Sequence, residues 1–342
     1  MTFHSLARKA IIELPIPGPL KIGSRASIAL NNNLLPNLGP WRAYPNVWQR
    51  DLVDGVIRLW RGIEERKGGT LELSGDNVLL THGGVDALDI ALTVFCEPGR
   101  DAVAITPPSF EAFPHWAALH SLSVVTLMQN DWVAAAASNT KALLLCSPNN
   151  PLGEMISQDS IRSLLQVYPG IVILDEAYAD FSEKTSAMSL VNQFNNLVVL
   201  RTLSKSIGLA GLRVGALVGN PSTIHTALRV QIPFCISTPV RDTLLEILKT
   251  PDTIHADIAW VRCERARVAA CLKTSAYVAR VLPSDANFLC VYWNNPDVVR
   301  CLLREADVGV HDFGEGSRVT VGSRDANDTF LRAIAASTEG VV

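Results

Sequence analysis

At 342 residues, with 48% apolar and 18% charged positions and a formal net charge of −3, the chain has the composition of a compact globular protein and not of a disordered one. It carries no Lys/Arg block of the kind that nucleic-acid and acidic-membrane binders show, so the expected partners are small molecules, with no nucleic acid and no membrane. Seven scattered cysteines without a CxxC pair and seven dispersed histidines without HExxH argue against a disulfide framework or a metal site, and for reduced thiols in a cytoplasmic protein.

Residues 1–45 are rich in Pro, Gly and Asn and read as an extended arm. Their first part mixes Arg8, Lys9 and Glu13 with prolines, which leaves no apolar core for a signal peptide, and no apolar run further on approaches a membrane span. From Val47 to Ile63 the apolar positions Leu52, Val53, Val56, Ile57, Leu59 and Trp60 recur at helical spacing. Short apolar runs at 78–81, 102–105, 123–127, 142–146, 171–174, 197–201 and 214–218 then read as strands, with helical stretches such as 84–95 and 158–167 between them. That alternation predicts an α/β fold with a mostly parallel sheet covered on both faces. Beyond Thr250 the rhythm changes. A helix over about 254–272, strands at 287–292 and 317–321 and a helix near 325–336 predict a smaller α+β domain, with Pro251 as the boundary. The Ala134–Ala137 run reads as a helix or a loop flank. The expected organisation is an arm (1–45) that joins the small domain, a large domain (46–250) and a small C-terminal domain (251–342).

Two strand ends carry the chemistry. The run IVILDEAY at 171–178 delivers Asp175 to the carboxyl edge of the sheet, where ligands of open α/β sheets sit. The run VVLRTLSK at 198–205 ends in hydroxyls and Lys205, followed by Gly208, Gly211 and Arg213, a set suited to a phosphate dianion. Taken singly, a strand-end Asp is often a turn residue and a lone Lys a solvated charge. A buried Lys beside an anion-binding loop, with a carboxylate and a phenol from a neighbouring strand, is what Schiff-base chemistry on an aldehyde cofactor needs.

These motifs resemble those of fold-type-I pyridoxal-phosphate enzymes, and in detail the histidinol-phosphate aminotransferase family. The most specific stretch is RTLSKSIGLAGLRVG at 201–215. In chain order it is supported by AYP at 43–45, THGG at 81–84, CEPG at 96–99, PPSF at 107–110, SPNNP at 147–151, DEAY at 175–178, STPV at 237–240 and RVTVG at 318–322. The resemblance implies a homodimeric aminotransferase that uses pyridoxal 5'-phosphate, an amino donor and a 2-oxo acid acceptor. Lys205 would carry the cofactor and move the proton, Asp175 would pair with the pyridine nitrogen, Asn150 and Tyr178 would bond the phenolic oxygen, and Phe110 would stack on the ring. Backbone N–H groups of Gly84 and Val85 would bind the phosphate with Thr202, Ser204 and Arg213, and Tyr44 would reach it from the other subunit unless it packs locally as a Tyr-Pro turn. Arg318 would take the substrate carboxylate. Arg324 is a second candidate for a substrate anion, or a surface charge.

This chain departs from the family pattern at Ile16, Val85 and Leu152, where a Tyr, an acidic residue and a Thr are usual, which points to an altered substrate. Two other readings compete: a decarboxylase resembling the threonine-phosphate decarboxylases, and a fold kept as a non-catalytic binding module. A nucleotide-binding dehydrogenase is disfavoured because no strand leads into G-x-G-x-x-G.

Overall fold

Seven short runs dominated by apolar residues form one sheet: β1 (Val78–Thr81), β2 (Ala102–Ile105), β3 (Ser123–Thr126), β4 (Ala142–Cys146), β5 (Ile171–Asp175), β6 (Leu197–Thr202) and β7 (Gly215–Val218). The structure is a computed structural model that describes residues 3–17 and 43–335. The strand order is β1-β7-β6-β5-β4-β2-β3, parallel from β3 through β6, with β7 antiparallel to both of its neighbours. Strands β4 and β6 are buried along their whole length and β5 up to Leu174, because helices cover both faces. Successive residues divide between two cores: Leu143, Leu145, Val172, Leu174 and Val199 join one, and Ala142, Leu144, Ile171, Ile173, Val198 and Leu200 the other.

The sequence predicts an extended arm, yet its described part contains two helical turns, α1 (Phe3–Leu6) and α2 (Lys9–Ile12). Phe3, Leu6 and Ile11 pack into the core around β2 and β4, while Arg8 bonds Glu97 at 3.0 Å, so these turns dock on the large sheet. Helix α3 (Arg50–Arg66) begins later than the apolar pattern suggests, because Gln49 adopts φ 34° and sets the N-terminus. α4 (Gly84–Phe95), α5 (Ala112–Leu119), α6 (Trp132–Ala137), α7 (Gln158–Val167), α8 (Pro221–Ala227) and α9 (Thr238–Ile247) follow.

α10 (Pro251–Leu272) starts with Pro251 in its first turn, where the missing N–H costs nothing. Its early residues Ile254 and Ile258 belong to the core under the large sheet, and Val268 and Leu272 to that of the second sheet, so one helix links the two layers. The second sheet is antiparallel throughout, in the order β10 (His311–Phe313), β11 (Gly316–Thr320), β9 (Phe288–Trp293), β8 (Val278–Val281). α11 (Pro296–Glu305) and α12 (Arg324–Ala335) cover it.

Candidate active site

Parallel strands β4, β5 and β6 end side by side, Cys146 opposite Asp175 and Asp175 opposite Leu200, so their following loops meet at one edge. The Asp175 Oδ1 accepts the Ala177 N–H at 2.9 Å. Burial pushes its carboxyl up to about 6, opposed by that hydrogen bond and by the charges of Arg201 and Lys205. Tyr178 leaves the same strand end, is buried, and meets the edge of Phe288 at 5.0 Å between ring centroids. Burial, reinforced by Cys146, holds its phenol above the usual range, while Arg318 pulls the other way.

The Lys205 Nζ lies 5.5 Å from the centroid of the Tyr178 ring. The sequence reading expects this lysine buried; in the single chain the residue is exposed. Its ammonium is nevertheless pushed below the ordinary lysine range, first by partial desolvation, then by Arg318 against the opposing charge of Asp175, and further by Arg213.

Arg318 comes from β11 of the second sheet and reaches the loop after β4, where its Nη1 donates to Asn150 Oδ1 at 2.6 Å. Its guanidinium carbon lies 5.6 Å from the Phe288 ring centroid. The neighbouring Asn149 donates through Nδ2 to Pro108 O at 3.1 Å and accepts from the Leu152 N–H at 3.0 Å, which ties the loops after β2 and β4 together.

An anion cradle lies beside this group. Helix α4 opens at Gly83, whose φ of 83° strains any other residue, and a Cβ there would come within 2.6 Å of the Arg213 guanidinium and displace it. Gly215 likewise presses on the Gly83-Gly84 backbone, where a Cβ would meet Gly83 C at 2.5 Å. No capping side chain covers the start of α4, so its first-turn N–H groups, those of Gly84 and Val85 among them, have no intrahelical partner. Thr202 Oγ1 and Ser204 Oγ lie 2.9 Å apart on the facing loop, and Thr202 Cβ is 3.7 Å from where a Gly84 Cβ would stand. Hydroxyls, a guanidinium and free N–H groups thus converge in a donor set that matches a phosphate dianion.

Three other sequence candidates make contacts of their own. Phe110 packs edge-on against Phe113 at 5.7 Å as the chain enters α5. Tyr44, 64% exposed, stacks on Phe234 of its own chain at 4.7 Å. Arg324 is engaged by Glu264 of α10 at 2.6 Å. That glutamate also accepts from Arg267 and Asn327, and its carboxyl is pushed down to about 2, chiefly by the Arg267 hydrogen bonds.

Sequence reasoning passed over the residues behind the site. Arg201 stands inside an apolar strand and is almost fully buried, with its guanidinium paired to Asp180 and bonded to the carbonyl of Glu176 at 3.2 Å. The available signal was a charge in the middle of VVLRT. Among the described residues no group of three or more His, Cys, Asp or Glu side chains could hold a metal ion, and no helix is long and apolar enough to cross a membrane.

Over residues 37–334 the chain matches the family described as Aminotransferase class I and II. It is 34% identical over 303 residues to a histidinol-phosphate aminotransferase of Xanthomonas euvesicatoria pv. vesicatoria (strain 85-10), a match that spans 82% of this chain and 84% of the relative. Its fold is similar to that of histidinol-phosphate aminotransferase from Sinorhizobium meliloti, solved in complex with pyridoxal-5'-phosphate, with TM-score 0.73, 20% identity and coverage of 86% of this chain and 82% of that one. L-threonine-O-3-phosphate decarboxylase from Porphyromonas gingivalis is similar too, with TM-score 0.70, 21% identity and coverage of 86% and 93%. At such identities the two structures speak for the fold alone.

Proposed function

The chain belongs to the class I and II aminotransferases and is a pyridoxal-phosphate-dependent aminotransferase similar to the histidinol-phosphate enzymes; we propose that the side chains gathered at the carboxyl edge of its large sheet perform the transfer. The amino donor is an amino acid or a phosphorylated amino alcohol, and the acceptor a 2-oxo acid. When bound, the cofactor supplies an aldehyde that takes up the amine and a ring that accepts the electrons of the Cα–H bond.

The residues present fit that group. Thr202, Ser204, Arg213 and the N–H groups of Gly84 and Val85 bind its phosphate. Asp175 would pair with the ring nitrogen, and the raised pKa of its buried carboxyl would fall with a cation there. Arg318 occupies the Asn150 Oδ1, which leaves Nδ2 of the same amide to donate, with the Tyr178 hydroxyl, to the ring's phenolic oxygen. Lys205 Nζ would anchor the cofactor, and as a free amine at that position it would take the proton from the substrate's Cα; its depressed pKa enlarges the neutral fraction able to do so. Phe110 closes the ring face, and Arg318 turns its fork to the donor's carboxylate.

The exposed Tyr44 completes the phosphate site of a second copy in a homodimer. Inactive Tyr44→Ala and inactive Lys205→Ala chains, mixed under exchange conditions, regain activity in hybrids if this is so; full activity of Tyr44→Ala alone removes the shared site. With Leu152 and Ile16 in place of the hydroxyls usual in the family, a substrate phosphate loses partners worth about 1–3 kcal/mol, so histidinol phosphate is expected to be a poor donor relative to glutamate. Comparable kcat/KM for the two would refute that.

The observation that carries the reading is the convergence of Asp175, Tyr178, Lys205 and the Arg318–Asn150 pair on one sheet edge beside the anion cradle. It is tested by borohydride reduction of the cofactor-loaded protein and peptide mapping. Label on Lys205 supports the assignment, and label on another lysine overturns it.

A further inference from the structure

Behind the site lies a group of buried ionisable side chains that the transfer itself does not use: Glu64, Glu176, Asp180 and Arg201, together with the ammonium of Lys67. Burying charges is expensive unless each is paired and hydrogen-bonded. Here each is. Arg201 pairs with Asp180 and with Glu176, Lys67 pairs with Glu64 at 2.8 Å, and the Ser186 hydroxyl and the Ala187 N–H satisfy the two Glu176 oxygens. Lys67 Nζ also donates to Ala179 O at 2.9 Å, and the Trp60 ring lies 5.2 Å from the Arg201 guanidinium carbon. The remaining oxygen of Asp180 accepts the Ser206 hydroxyl at 2.6 Å.

The members of this network are chain neighbours of the site residues. Glu176 follows Asp175, Arg201 precedes Thr202, Ser206 follows Lys205, and Asp180 sits one short turn beyond Tyr178. Side chains of adjacent extended residues point to opposite sides, so where Thr202 faces the anion cradle Arg201 faces the network behind it. A buried ion pair adds little net stability over well-packed apolar groups, so stability alone is a weak reason for its presence. Orientation is a stronger one, because a displacement of about 1 Å at a reacting group costs on the order of 100-fold in rate.

We propose that Asp180 is a positioning residue: held by Arg201, its carboxylate grips the Ser206 hydroxyl and thereby fixes the backbone at Lys205 relative to Tyr178 and Thr202. The role rests on the reading that Lys205 anchors the cofactor. It assigns a shared support to the segments that follow β5 and β6, which would otherwise be free to shift independently.

Two variants test it. Ser206→Ala removes one hydroxyl and leaves the Arg201–Asp180 pair intact. Asp180→Asn keeps the shape and removes the charge. In each, the pH midpoint of the bound cofactor's visible absorbance is to be measured, alongside kcat, KM and the melting temperature. Expected for Ser206→Ala is an absorbance midpoint moved by about half a pH unit or more, with kcat lowered roughly 10- to 100-fold and KM for the amino donor within about threefold of wild type. Asp180→Asn should show larger changes in the same direction. An unmoved midpoint with kcat within about twofold in Ser206→Ala overturns the proposal, and so does a fall in melting temperature with no other change; that variant decides alone if Asp180→Asn does not fold. Peptide mapping of the reduced wild type separates the two failures: label away from Lys205 defeats the underlying reading, whereas label on Lys205 with indifferent variants defeats only this one.

Discussion

Arg318 and Arg324 lie close together in sequence, and their two surroundings differ completely. Arg318 is part of β11, and the antiparallel register that sets it opposite Cys290 aims it out of the second sheet, across to Asn150 at the edge of the first. Arg324 opens α12, which packs on α10, and there Glu264 waits with Arg267 and Asn327 already attached. The first guanidinium is held by a neutral amide oxygen that a substrate carboxylate can outcompete. The second is held by a carboxylate within a closed ion network. An arginine near a site becomes a ligand group when its existing partner is weaker than the ligand.

The contrast between residues turned toward the site and residues that merely neighbour it predicts a graded series of losses. The largest belongs to Lys205→Ala. With no group at that position to take the Cα proton, multiple turnover should disappear in a chain that still folds, as seen by circular dichroism and a steady-state assay; turnover above a thousandth of wild type would put the lysine on the wrong side of the comparison.

Asp175→Asn should follow, with turnover lower by several orders of magnitude, the scale of losing a central electrostatic group. It also carries a stability signature. Because the carboxyl has its pKa raised to about 6 in the folded, cofactor-free chain, against 3.8 ordinarily, the folded state binds more protons than the unfolded one between about pH 4 and 6. Stability of the cofactor-free wild type is therefore lost as pH rises through that window, by ~2–3 kcal/mol from this group. Urea denaturation at pH 4.5 and 7.5 should show the Asn variant gaining on wild type at the higher pH, and parallel behaviour of the two would remove the burial argument.

For Arg318→Lys the charge stays but the fork is lost. We expect kcat/KM for glutamate to fall about 10- to 100-fold, mostly through KM, an effect of ~1.4–3 kcal/mol. An unaffected glutamate half-reaction would move Arg318 into the same class as Arg324.

How much of this was legible in the sequence depends on whether the signal is local. Strands β4, β5 and β6 could be read because burial on both faces makes each an unbroken apolar run, and the motifs carrying Asp175 and Lys205 stood out because polar residues end those runs. β8 and β10 could not: their residues are mostly exposed or half-buried, so no alternation marks them. Nor could α1 and α2, where a few apolar residues among polar ones form helical turns only because the large core is there to receive them. Arg201 was hidden for a related reason, since its partners Glu176 and Asp180 belong to another strand end and become its neighbours only when β5 pairs with β6. The exposure of Lys205 and the capture of Arg324 by Glu264 are likewise properties of loops and helices meeting in space, which periodicity does not encode.

The smallest expected effect sharpens the comparison most, because it decides between the two sequence readings of Arg324, a substrate-anion ligand or a surface charge. Arg324 was a candidate for a substrate anion, and its side chain is 57% exposed, so a bound anion would be free to approach it. Yet its Nη1 is committed to Glu264, and the buried glutamate keeps Arg267 and Asn327 when Arg324 is removed. Arg324→Ala should therefore leave kcat and KM for every amino donor within about twofold of wild type and cost no more than ~1 kcal/mol of stability, the range of a partly exposed ion pair with a surviving partner. Measured beside Arg318→Lys on glutamate and on histidinol phosphate, the pair gives a direct reading. A loss confined to the phosphorylated donor in Arg324→Ala would mean that the Glu264 contact breaks on substrate binding and that this arginine belongs to the site after all.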